Sequence, residues 1–113
     1  MSGAPRLNRR LVLEERSALP DGAGGFAEGW REKGVLWAEI SPRTGRDRAG
    51  EAVSLSSTSF RILLRAAPRG SSMRPVPGQR LREGARVFRL EAVTERGREG
   101  RYLVCFAEEE VAA

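Results

Sequence analysis

Short alternating runs of apolar residues, separated by turns rich in glycine and proline, recur along this chain. The runs are too brief for amphipathic helices and read as strands. The first covers residues 9–15, with Leu11 and Leu13 on one face and Val12 on the other. The cluster at 19–25 follows as a hairpin tip, because glycine and proline supply the backbone angles that a tight reversal needs. Residues 26–33 then lead into a second strand over 35–40, where Leu36, Ala38 and Ile40 point one way and Val35 and Trp37 the other.

A strand with one wet face alternates apolar with polar residues. Apolar side chains on both faces of 35–40 therefore call for a second covering surface, either another part of the chain or another subunit. A third strand is expected over 60–65, with Phe60, Ile62 and Leu64 on one face, and a fourth over 86–93, with Phe88, Leu90 and Ala92 together. A fifth follows over 101–106, and residues 79–82 form a short edge segment. Pro75 and Pro77 lack ladder donors and keep 73–78 out of a sheet interior. The expected fold is all-β and mainly antiparallel, a small barrel or sandwich of five to six strands. One domain spans 1–113, with flexible ends at 1–6 and 108–113.

The connection between the second and third strands, residues 41–59, is far longer than connections in compact domains usually are. It is polar and carries Arg43, Arg46 and Arg48. A turn or two of helix over 47–53 is compatible with its Arg, Ala and Glu content, although Gly50 interrupts it. Phe26 and Trp30 lie on the arm that enters the second strand. Trp30 suits either contact with a neighbouring surface or a lid over its own core.

Charge and reactive groups narrow the chemistry. The 113 residues include 20 Lys plus Arg against 15 Asp plus Glu, a net charge of +5, and Lys33 is the only lysine. Such a balance fits proximity to nucleic acid, or equally a solubilising surface, since the acidic residues are interleaved throughout. Histidine is absent, which removes the commonest general base and metal ligand, and neither a metal site nor a cofactor site is expected. The serines of 54–59 have no histidine to activate them, and the glycines of 22–25 lack the lysine of a phosphate-binding loop. Enzymatic activity is not expected. Cys105 is the single cysteine, so no internal disulfide forms, and its apolar strand context predicts a buried small hydrophobe. No apolar stretch approaches the roughly 20 residues of a membrane span, and none near the start resembles a signal peptide.

The order of these pieces resembles the tailed-phage head-tail joining family, small proteins also called head-tail adaptors, head-completion proteins or stoppers. The likeness is carried by Arg10-Leu11-Val12-Leu13, by Gly24-Gly25-Phe26 with Trp30, and by Val35-Leu36-Trp37-Ala38-Glu39-Ile40-Ser41-Pro42 followed by Gly45-Arg46. Phe60-Arg61-Ile62-Leu63-Leu64-Arg65, Val87-Phe88-Arg89-Leu90 and Leu103-Val104-Cys105 continue it, so that it spans residues 7–108. The chain departs from the family pattern where Asp47-Arg48-Ala49-Gly50 replaces the aromatic residues that commonly follow the Gly-Arg pair.

The resemblance implies a ring of six or twelve identical copies, with portal or adaptor proteins above and tail terminator or tail proteins below. The ring would sit in the neck of a phage virion or gene transfer agent and assemble in the host cytoplasm. The long loop would reach the central channel and help to retain packaged double-stranded DNA without reading its sequence. Three features read from the residues fit that picture. The doubly apolar second strand suits a subunit interface, the loop arginines Arg43, Arg46 and Arg48 suit phosphates, and repetition around a ring multiplies a weak contact. Val35, Leu36, Trp37, Ile40, Phe60, Ile62, Phe88 and Leu90 are then the core and interface residues, with Phe26 and Trp30 as arm contacts. The loop arginines are also placed to pair with Asp47, Glu51 or a neighbour's carboxylates. Alternative roles are a free-standing basic nucleic-acid-binding barrel, or another neck ring such as a tail terminator.

Overall fold

The computed structural model describes residues 5–43, 45–46, 52–53 and 58–110, with the backbone alone at 45–46 and 52–53. The strands are β1 (Arg9–Pro20), β2 (Phe26–Pro42), β3 (Gly45–Arg46), β4 (Ala52–Val53), β5 (Ser59–Arg65), β6 (Arg80–Glu83), β7 (Arg86–Arg96) and β8 (Tyr102–Glu109). A 3-10 turn, Arg98–Gly100, joins β7 to β8. Six strands form one antiparallel sheet in the order β1-β2-β5-β8-β7-β6, and β6 pairs back onto β1 so that the sheet closes into a barrel. Among the described residues β3 and β4 pair with each other, apart from the barrel sheet.

Closure corrects the reading of 79–82 as an edge. β6 is paired on both sides, Leu13 opposite Leu81 and Leu81 opposite Phe88, so this short strand removes the two free edges that an open five-stranded sheet would expose. The helical turn considered over 47–53 is also corrected where it can be seen: Ala52 and Val53 are extended and paired with Arg46 and Gly45. Residues 47–51 lie outside the described ones.

Alternation along each strand aims one set of side chains inward. Leu11 and Leu13, Ala38, Ile62 and Leu64, Leu81, Phe88 and Leu90, and Leu103, Cys105 and Ala107 form one buried cluster, against which Leu36, Ile40, Phe60 and Val93 pack. The Phe60 and Phe88 rings meet edge to face, with centroids 5.4 Å apart and planes at 84°. Two bulges, between Leu13 and Glu14 and between Leu90 and Ala92, shift register on β1 and β7 and help curve the sheet.

β8 runs through Glu109, so the flexible end expected over 108–113 does not begin at 108, and residues 111–113 lie outside the described ones. The Glu109 backbone N–H donates to the Thr58 carbonyl at 2.7 Å, and the Glu110 N–H donates to that of Val87 at 2.8 Å. The carboxylates of Glu108 and Glu109 find hydroxyl and arginine partners on the barrel.

β1 and β2 are much longer than the barrel requires. β1 meets β6 only from Val12 to Glu14, and β2 meets β5 only from Ala38 to Pro42. Beyond those points residues 15–20 and 26–31 pair with each other alone, as a two-stranded arm in a molecule whose extents are 56 × 32 × 24 Å.

Candidate functional site

The strand registers give the subunit two different ends. β5 starts at Ser59 beside Pro42 and Glu108 and finishes at Arg65 beside Tyr102. The 43–58 connection therefore springs from one end, while the arm projects from the other, past the last β2–β5 pair.

At the loop end the feet of the connection are fixed. The Arg43 N–H donates to the Ser59 carbonyl at 3.0 Å, and the Glu108 carboxylate accepts from the hydroxyls of Thr58, at 3.0 Å, and of Ser59. Beside them runs an ionic chain: Arg9 bonds Glu83 through Nε at 2.6 Å and Nη2 at 2.5 Å, and Arg86 bonds Glu109 through Nε at 2.7 Å and Nη2 at 3.0 Å. Arg86 also lies 4.9 Å from the Phe88 ring centroid and 5.4 Å from that of Phe60, roofing the core at this end. Hydrogen bonds from Arg9 hold the Glu83 carboxyl below its ordinary range, and those from Arg86 do the same for Glu109.

Arg43 is exposed, with its guanidinium 4.5 Å from the centroid of Phe106. Only the backbone of Arg46 is described, in β3, and Arg48 lies outside the described residues. Neither Arg86 nor Glu109 was singled out by the sequence. The signal was present, because the inward alternation Leu103, Cys105, Ala107 continues to Glu109 and needs a cation where the barrel opens to water.

The outward face of β2 carries the residues that the sequence left between core and interface. Ile62, Phe88 and Leu90 are buried, and Leu36, Ile40 and Phe60 are half-buried against them. Val35 and Trp37 point away and remain 40% and 53% exposed. At the arm tip Leu19 is 49% and Phe26 73% exposed. Asp21 shapes that tip: its Oδ1 accepts from the N–H groups of Ala23 at 2.8 Å and Gly25 at 3.0 Å, which holds its carboxyl below the usual range. A side chain at position 25 would place its Cβ 2.8 Å from Asp21 Oδ2, so a larger residue there would displace the carboxylate.

Trp30 sits lower, where the arm joins the barrel. It lies between Arg80, 4.1 Å from the ring centroid, and Arg16, 5.4 Å away. Buried Glu14 anchors this joint, accepting from Arg80 Nε at 2.6 Å and Arg82 Nε at 3.0 Å. Burial alone would raise the Glu14 pKa, but the two guanidinium bonds outweigh it and leave it lowered.

Among the described residues no set of three metal-binding side chains comes together, and no helix is long and apolar enough to cross a membrane. A small closed barrel with exposed apolar residues on one outward strand and on a projecting arm defines a class of protein built for contact with other proteins. The phage head completion protein family matches residues 3–110, and the chain belongs to it. It is a head-tail structural protein of a virion-like particle, not an enzyme.

Among solved structures, a chain of the virion of a native gene transfer agent particle is 58% identical. The match covers 96% of this chain and 100% of that one, with a TM-score of 0.73. Protein SF1141 from Shigella flexneri 2a, 16% identical with 99% and 100% coverage and a TM-score of 0.66, shares the fold. No curated protein matches.

Proposed function

We propose that this chain is the stopper or adaptor subunit of a gene transfer agent or phage neck, acting along 1–113 as a single connector domain. Six or twelve copies form a ring between the portal complex and the tail, close the DNA channel and join head to tail. The observation that carries the reading is the 58% identity, across nearly the whole of both chains, with a component of a native gene transfer agent virion.

The geometry supports the ring at two places. Val35 and Trp37 offer an apolar surface on the outward side of β2, and a large aromatic beside an aliphatic is the composition expected at the centre of an interface. The arm offers a second surface: a two-stranded ribbon is marginal by itself, and its tip exposes Leu19 and Phe26. In the ring the arm of each copy rests on a neighbour, with Phe26 as the contact and Trp30 as the fixed root. The connection at 41–59 faces the channel, where Arg43, Arg46 and Arg48, repeated in every copy, form a collar against the phosphates of packaged double-stranded DNA. Assembly takes place in the host cytoplasm, and the mature location is the neck.

Electron microscopy of particles carrying an affinity tag on this chain, decorated with gold-labelled antibody, tests the location. Gold is expected at the junction of capsid and tail. Gold over the capsid shell or along the tail tube would remove the neck assignment.

A further inference from the structure

The end of the barrel that carries the arm also holds an open cleft of about 470 Å³, within the range of about 300–1,000 Å³ usual for ligand sites. One wall is the 66–74 loop after β5, and the other is the turn between β7 and β8. Five arginines and two glutamates line it, a net charge of +3 concentrated at one spot on a chain whose total is +5.

The two walls are tied together. Glu95 accepts from Arg69 at 3.0 Å and from Arg74 at 2.7 Å, Arg74 also donates to the Ala67 carbonyl at 2.9 Å, and the Ala66 N–H donates to the Arg101 carbonyl at 3.0 Å. Gly100 makes this possible: its φ is +62, and a Cβ there would stand 2.9 Å from the Glu95 carboxylate. Glu99 is held at φ 59, ψ 24, a conformation that non-glycine residues seldom adopt. Strain of this kind persists where the surrounding structure imposes it.

The turn so fixed displays cations that the fold does not use. Among the described residues no carboxylate lies within salt-bridge distance of Arg65, Arg98 or Arg101, whereas Arg69 and Arg74 are both spent on Glu95. Arg65 has only the Tyr102 ring beneath it, 5.8 Å from the guanidinium carbon. Three forked donors without a carboxylate partner thus line a cleft whose 66–74 wall begins with the small residues Ala66, Ala67 and Pro68.

We infer that this cleft is a docking site for an extended acidic peptide segment of another protein, its carboxylates taken by Arg65, Arg98 and Arg101. Charge complementarity selects an acidic partner. The lining selects a peptide with discrete carboxylates over duplex DNA, because the carboxylates of Glu95 and Glu99 among the arginines would repel a continuous run of phosphates. The site lies at the opposite end of β5 from the 43–58 connection, and its chemistry holds whether or not the chain forms a ring.

The test is fluorescence anisotropy with the purified full chain and a labelled peptide alternating glutamate and serine. Saturable binding is expected, weakened about tenfold or more in R98E/R101E. It should be unchanged in R6E/R10E, which makes the same charge change away from the cleft. Unlabelled duplex DNA should displace the peptide less well than unlabelled acidic peptide. The melting temperature of each variant is checked first. If R98E/R101E does not fold, R65Q replaces it and is expected to weaken binding measurably. Absence of saturable binding, equal weakening in R6E/R10E, or displacement by DNA as effective as by peptide would each overturn the inference.

Discussion

Arg80 stacks on Trp30 at 4.1 Å from the ring centroid while its Nε donates to Glu14 at 2.6 Å. One guanidinium therefore joins the root of the arm to a buried carboxylate of the barrel. A two-stranded ribbon has little stability of its own, so the joint decides whether the arm holds its direction. Trp30→Ala removes the stack and part of the apolar cover, and should cost about 1–3 kcal/mol in chemical denaturation. Limited proteolysis should also show faster cutting within 15–31 while the barrel strands stay protected.

Acid should weaken the subunit through the same kind of pairing. Glu14, Glu83 and Glu109 all have pKa values lowered from the ordinary 4.5 by arginine partners. A carboxylate whose folded pKa is depressed contributes stability that is fully present above its unfolded value and is lost as pH falls through the folded one. The denaturation midpoint should stay level between about pH 7 and 5 and decline below about 4.5. Glu14→Gln should lose about 1–3 kcal/mol at neutral pH and show a shallower acid decline, since Arg80 and Arg82 are partly exposed and water softens the loss.

Cys105 is fully buried in β8, and burial pushes its thiol up to about 12. The reactive thiolate is thus scarce and shielded. Iodoacetamide at about pH 8 should leave the folded protein unmodified and label it completely once unfolded.

The strand inventory was legible because inward alternation survives in nearly every strand: Leu11 and Leu13, Ile62 and Leu64, Phe88 and Leu90 all read correctly by period alone. Strand ends were not. Residues 15–20 and 26–31 mix charged and small side chains, and they are extended because they pair across an arm rather than because they bury a face. β6 read as an edge because four residues with one buried leucine cannot announce that they close a sheet. Partners distant in sequence, Arg80 with Glu14 and Arg9 with Glu83, give no local signal at all. Both are separated by more than sixty positions.

Trp37 separates subunit stability from assembly. With 53% of its surface exposed it contributes little to the isolated barrel, and Trp37→Ala should change stability by less than about 1 kcal/mol. At the centre of a ring contact the same truncation should cost about 2 kcal/mol or more per interface. The expected result is a variant that melts like the parent but is not incorporated into particles, read by blotting purified particles. Normal incorporation would move the ring contact away from β2.

The measurement that bears most directly on the connector role is the fraction of heads that keep a full genome in particles assembled without this chain. Heads that fill, then leak their DNA and carry no tails, are the predicted outcome. Full, tailed particles in normal numbers would contradict a role in closing the channel and joining head to tail.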